Sequence, residues 1–553
     1  MMDKKTAERT ARRLRKNHNG LLPDEPLLHR DHSRPVTRRD FLRQGFITGT
    51  GVTLGGSLFS LFANPRAAQA ALSSDLNTLA GSIPGCSLGA TSTQIPFICF
   101  DLAGGANMIG SNVLAGGQGG YLNDPLSVAG YSKMGIPGDM VPGGVETTAP
   151  LNGPVQDTVT SNGDFTDTTL GLAFHSDSAF LRGILSKTNL TGTAPFVNGA
   201  VIPARSGNDT SNNPHNPMYR IAATGANGDV VTLIGSRNSE SGGNSMAPAM
   251  SIDPSIRPTK VDRPSDVTGM VNTGDLTSVL TEDDAKAVME SIARLSDKKV
   301  ANINADTVVK NLLDCGYLNA ASIAERFVGR DVNPATDSVI VGPSGIFSQA
   351  EFDGPDRGEF RKTASVMKMV IDGHAGAGTI AMGGFDYHTG DRSTGERRDL
   401  RAGKCIGACL EYAARSGTEL MIYVFSDGSL ASNGATDGSV DGRGKGVWTG
   451  DNSSTAAGFF LVFKPGARPA LFSGDTLTAA QHQQIGWFRA DGSVETTSSV
   501  AANNVNQLVD TVVLNYLALH GSDYRTTYNS LFPNNGLGND DLMMSLTAFD
   551  PIR

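Results

Sequence analysis

Three acidic side chains, Asp101, Asp386 and Asp427, each end or closely follow a short apolar run, and His388 stands two residues beyond the second of them. The runs, Ile95–Asp101 (IPFICFD), Gly378–Met382 and Glu419–Phe425 (ELMIYVF), read as β-strands. In an open α/β sheet, ligands bind outside the carboxyl ends of the strands, so acids delivered there from separate strands meet in space. Carboxylate oxygens joined by an imidazole nitrogen form a donor set for a divalent cation. A cation so placed polarises a phosphoryl or sulfuryl oxygen, or acidifies a bound water. The same residues also have ordinary structural uses. Asp and Asn after a strand cap helices and close turns, and an imidazole in a loop hydrogen-bonds its neighbours.

The elements that must position such a rim follow along the chain. Ser178–Lys187 predicts a helix, and Ala194–Ile202 and Val230–Ile234 predict strands. Thr281 opens a helix with Thr-Glu-Asp-Asp as a capping box, and helices continue to about Phe327. Ser365–Asp372 is apolar and fits helix or strand. Leu400–Arg415 predicts a helix stopped by Ser416-Gly417. Gly458–Phe463 predicts a strand reached through a glycine-rich loop at 434–452, and Val505–Leu519 a closing helix. This rhythm argues for an α/β fold, a mainly parallel sheet flanked by helices. The 66 glycines, with frequent Asn, Ser and Thr, predict many turns and long loop insertions, placed at 115–170 and 237–330.

The N-terminal segment has a different character. Arg38 and Arg39, followed by Phe41 and Leu42, precede a weakly apolar run, Phe46–Ala63, which ends in Asn-Pro-Arg and then Ala68-Gln69-Ala70. A basic segment, an apolar stretch and an A-x-A site are the three parts of an export signal. The paired arginines resemble the twin-arginine translocation signal, which implies passage through the twin-arginine translocase and a periplasmic, cell-surface or extracellular destination. The bland alternative is a retained membrane anchor. The run contains Gly49, Gly51, Gly55 and Gly56, and is marginal beside the roughly 20 mainly apolar residues of a spanning helix. Residues 1–70 are therefore read as a leader, 71–94 as a loose mature N-terminus, and 95–553 as the α/β domain. The mature protein is expected not to span a membrane.

Without the leader, 33 basic side chains face 49 acidic ones, a formal charge of −16. So acidic a body has no broad attraction to nucleic acid or anionic lipid, and it favours divalent cations. The five cysteines cannot all pair. Cys405 and Cys409 fall on one helix face with Ala402 and Ala413, a small-residue stripe that suits close packing. Cys86 and Cys99 are the pair to test for a disulfide.

Gly383–Arg392 (GGFDYHTGDR) resembles the G-G-x-D-x-H segment of the DUF1501 family, which is related to the alkaline phosphatase and sulfatase superfamily. Further blocks follow in family order: Phe97–Asn112, Leu172–Leu185, the surroundings of His215, Ser426-Asp427-Gly428, Thr449–Asn452 and Phe532-Pro533. The resemblance implies an alkaline-phosphatase-like fold and a site in which Asp386, His388, Asp427 and Asp451 hold Mg, Ca or Zn. It also implies that Asn107 and His215 contact the ester or its developing charge. The chain departs from the family pattern at Asn107, often Asp; at Pro214, often Ser; at Asp427, in place of Glu; and at Asn452, in place of His. Ser111 and Ser206 are the candidates for a nucleophile.

Other signals point elsewhere and are weaker. Gly376–Ala381 matches G-x-G-x-x-A, but the residues after it read as a strand, so neither nucleotide nor flavin is indicated. Two functions stay open. One is an exported metal-dependent hydrolase of phosphate or sulfate esters with a partly degenerate site. The other is a non-catalytic cell-envelope binding, assembly or secretion-accessory module that keeps the fold.

Overall fold

Apolar runs of the kind that fill a doubly covered sheet form the centre of the protein. The strands along the chain are β1 (Phe97–Leu102), β2 (Val197–Pro203), β3 (Val231–Gly235), β4 (Thr259–Lys260), β5 (Ala375–Met382), β6 (Leu420–Ser426), β7 (Leu430–Thr436), β8 (Gly446–Asp451) and β9 (Ala457–Phe463). Every residue of β1, β5 and β6 is buried. The structure is a computed structural model, and it describes residues 72–83, 86, 93–146, 160–206, 213–271, 280–303, 305–327, 331–388, 390 and 392–553. The expected export signal, with Arg38, Arg39, Phe41, Leu42, Ala68 and Ala70, lies outside those residues.

The main sheet has seven strands in the order β2-β9-β6-β1-β5-β3-β4. β1 lies between β5 and β6 and is parallel to both. β3 runs parallel to β5 and β4, whereas β9 is antiparallel to β6 and β2. Leu102 stands opposite both Met382 and Ser426. Three central chains therefore leave the sheet at one level, and their following loops share one rim.

The main helices are α1 (Ser74–Ser82), α2 (Ala179–Leu185), α3 (Glu282–Ala301), α4 (Thr307–Phe327), α5 (Arg357–Ile371), α6 (Ser393–Ser416) and α7 (Val505–Ala518). One face of the sheet packs on α7, where Val509, Val512, Val513 and Tyr516 join Phe97, Cys99, Met421 and Tyr423 in one core. Each such buried apolar side chain contributes about 1.5–3 kcal/mol relative to exposure. Elsewhere the packing is set by glycine. A Cβ on Gly378 of β5 would lie 2.6 Å from Val366 of α5, and one on Gly403 of α6 would lie 2.2 Å from the Phe180 carbonyl of α2. The G-x-G-x-x-A segment is thus strand interior, with glycines that admit close neighbours.

Several expectations are corrected. Cys86 bonds Cys315 of α4, not Cys99, which is fully buried within β1 with its sulfur 3.3 Å from Thr379 Oγ1. Cys405 and Cys409 are free and buried along α6, as close packing requires. Within the segment read as loose, α1 is held to α3: Ser73 N donates to Glu290 Oε1 at 2.8 Å and Arg294 pairs with Asp75 at 2.6 Å. Ser365–Asp372 belongs to α5. The glycine-rich stretch at 434–452 contains most of an antiparallel hairpin, β7–β8, and β4 extends the sheet edge.

Candidate metal centre

The rim is laced together by backbone groups. Ala103 N donates to the Met382 carbonyl at 2.9 Å, and Phe385 N donates back to the Ala103 carbonyl at 3.1 Å. Ser426 Oγ accepts from Gly105 N at 3.1 Å and Ala106 N at 2.8 Å, and donates to the Leu102 carbonyl at 2.6 Å. Gly104 has φ +122°, and a Cβ there would sit 2.4 Å from Asp386 N. Only glycine combines that backbone conformation with that approach.

On this frame Asp386 and His388 leave β5, and Asp451 closes β8, opposite Leu430. His388 Nδ1 lies 2.5 Å from Asp386 Oδ1 and 3.0 Å from Asp451 Oδ1. One ligand atom from each of the three residues falls within 4.8 Å of the others. His388 Nδ1 makes no well-directed hydrogen bond among the described residues, although two carboxylate oxygens stand so close. Two acid oxygens and an imidazole nitrogen converge there, a donor set that a divalent cation can use. The carboxylates are about half exposed, at 57% and 48%, so solvent and a ligand reach the group from outside.

Asp427 is not part of that group. It is fully buried, and its Oδ1 accepts from Gly104 N at 2.8 Å. Its side chain thus fixes the β1 turn, a use that an acid after a strand often has. Asp101, also buried, accepts from Asn244 N and Ser245 N at 2.6 and 2.7 Å. Burial lifts its carboxyl to about 6 despite the Ser245 bond, and the Asp427 charge acts in the same sense.

Asn107 is fully buried, and neither its Oδ1 nor its Nδ2 has a partner among the described residues. Leaving a buried amide unpaired costs about 1–3 kcal/mol for each group, which marks it as a site awaiting another group. His215 stacks on Phe425 with ring centroids 5.7 Å apart. Burial holds its imidazole down at about 3, so the ring is neutral at pH 7. Ser206 Oγ lies 3.1 Å from His215 Nε2, within reach for a nucleophile and its base. Both residues are buried, and Nδ1 has no partner among the described residues, so the orienting third group of a triad is missing there. Ser111 is buried as well and has no hydrogen bond to its hydroxyl among the described residues.

Sequence reasoning missed the groups behind the rim. Asn213 Nδ2 bridges Ser206 Oγ at 3.2 Å and the Asp427 carbonyl at 2.9 Å, tying the Ser–His pair to the β6 exit. Asp399 of α6 accepts from Tyr387 OH at 2.9 Å and Asn112 Nδ2 at 3.0 Å, and Asn107 N donates to Tyr387 OH at 3.3 Å. Burial pushes Asp399 up to about 7, with the Glu396 charge adding to it. Deeper still, Glu396 accepts from Arg182, Arg392 and Lys445, all nearly buried. Nothing in spacing or periodicity marks these pairings, which join distant stretches of chain.

The chain matches no family model, no curated protein and no solved structure. Function is therefore read from its residues alone.

Proposed function

We propose that this chain is an exported metal-dependent hydrolase of phosphate or sulfate esters, of the DUF1501 type and with an alkaline-phosphatase-like fold, whose site is partly degenerate. The observation that carries this reading is the convergence of Asp386 and His388, just beyond the carboxyl end of parallel strand β5, with Asp451 at the end of the antiparallel hairpin β7–β8. These three residues would hold the ion; Mg, Ca and Zn are all compatible with oxygen donors, and the imidazole favours Zn. When bound, the ion supplies Lewis-acid polarisation of the ester and acidification of water. Asn107 offers an unpaired buried amide to the ester oxygens, and the Gly104 turn holds Asp386 in register with β1. Neutral His215 backs the rim through Ser206 and Asn213 and stands ready to contact developing charge. Export by the twin-arginine translocase rests on Arg38, Arg39 and the Ala68/Ala70 site, and it puts the protein in the periplasm or at the cell surface. Among the described residues no helix is long and apolar enough to cross a membrane.

One observation favours the second reading, a non-catalytic cell-envelope module. Ser111 and Ser206, the candidate nucleophiles, are both buried, and Asp427 is committed to the Gly104 turn. Elemental analysis of the mature chain, purified without chelators, decides between them. About one equivalent of metal, lost in His388→Ala, together with aryl phosphate or aryl sulfate hydrolysis, is the expected result. Metal-free wild-type protein without esterase activity would establish the binding module instead.

A further inference from the structure

A cavity of about 390 Å³ is built from residues that take no part in the metal centre. Its walls include Trp487, Ser498, Ser499, Thr497, Gln118 and Gln481, and among the described residues no charged side chain lines it. The hydroxyl oxygens of Ser498 and Ser499 are buried, yet neither has a hydrogen-bond partner among the described residues. Two unpaired hydroxyls side by side, each able to donate and accept, are uncommon in a folded protein and call for a partner. Gly486, with φ +98°, precedes Trp487 in the chain; a Cβ there would stand 2.9 Å from Ser498 Oγ and 3.3 Å from Ser499 Oγ. Glycine keeps both hydroxyls clear. Trp487 is partly buried and lines the cavity.

We propose that this cavity binds a neutral saccharide unit, which packs against Trp487 and exchanges hydrogen bonds with Ser498 and Ser499. An indole surface covers the apolar C–H face of a sugar ring, while hydroxyls and carboxamides match its equatorial hydroxyls. The lack of any cation in the walls disfavours a phosphate- or sulfate-bearing ligand here. The size fits a small-ligand pocket. This binding does not depend on the metal centre or on hydrolysis.

The protein has two tryptophans, and Trp448 is buried, so a ligand-dependent change in indole fluorescence reports on Trp487. The mature chain is titrated with glucose, galactose, N-acetylglucosamine and their β-linked disaccharides, with cyclohexanol as an apolar ring control and Trp487→Phe as the background. Saturation-transfer NMR repeats each titration without relying on the indole. The expected result is saturable binding of at least one sugar. Affinity should fall about tenfold or more in the double variant Ser498→Ala/Ser499→Ala, which keeps Trp487. A disaccharide that binds more tightly than its monomer identifies a polymer-borne ligand; equal binding identifies a free sugar. The proposal is overturned if no sugar gives a saturable response by either method. It is equally overturned if the double variant, folded by near-ultraviolet circular dichroism, binds as tightly as the wild type, or if cyclohexanol binds as well as the sugars.

Discussion

The backbone amide of Gly104 donates to the Asp427 carboxylate at 2.8 Å, while the same glycine lies against the backbone of Asp386. One residue thus separates an acid used for structure from an acid at the candidate metal centre. The two acids are alike in sequence position, each just beyond a buried strand, and opposite in environment. Asp427 is fully buried and Asp386 is more than half exposed.

That contrast gives a test by paired variants. Asp427→Ala should lower stability by about 1–3 kcal/mol, because the partly buried Gly104 N then loses its acceptor and a buried side chain is truncated. Asp451→Ala should change stability by no more than about 0.5 kcal/mol, since its carboxylate is half exposed, yet abolish stoichiometric metal. Urea unfolding and elemental analysis on the same preparations check both halves.

Gly104→Ala should act on both properties at once. The added Cβ meets Asp386 N at 2.4 Å, and the positive φ strains any L side chain. A loss of about 1–3 kcal/mol is expected, together with weaker metal retention as Asp386 is displaced. Thermal melts with and without added metal measure the two effects.

Asp399 supplies a pH test. Its folded carboxyl titrates near 7, well above an unfolded Asp near 3.9. Between those values the native state binds the extra proton, so this group's contribution to stability falls as pH rises through that window. Replacing it with Asn removes the titration. Asp399→Asn should therefore gain stability relative to wild type on going from pH 4 to pH 7, by on the order of 2 kcal/mol. Denaturant midpoints at several pH values test the sign; a difference that does not change with pH would refute it.

The Cys86–Cys315 bond should be worth about 2–5 kcal/mol, because it closes a very long loop and ties the segment after α1 to α4. Cys315→Ser should lower the melting temperature and make the 72–83 segment a site of early proteolysis. Cys99→Ser should leave peptide mapping of the disulfide unchanged.

The sheet centre was legible because β1, β5 and β6 are continuous apolar runs, and the stop of α6 was legible because Gly417 takes the left-handed conformation, with φ +65°. The start of α6 was not. Its first turns bury Glu396 and Asp399, so polar residues occupy the positions that periodicity reserves for apolar ones. The hairpin β7–β8 escaped for the converse reason: much of it is exposed, and few apolar positions mark its strands. In the metal cluster, Asp386 and His388 could be read from their spacing. Asp451 entered only through a resemblance, and Asp427 lies outside the three-residue cluster, bonded to Gly104 N, because spacing cannot tell a rim acid from one that bonds a backbone amide.

Asp451 stands apart from its two companions in one respect. Asp386 and His388 sit in the loop that follows β5 of the main sheet, whereas Asp451 is carried by a two-stranded arm. The arm is pinned by Trp448, whose ring lies 4.4 Å beneath the Arg392 guanidinium, itself clamped by Glu396 at 2.8 Å. The spacing of the three donors is therefore calibrated by a buried ionic knot that touches none of them. A substitution in that knot would detune the cluster from a distance, with every donor still in the chain.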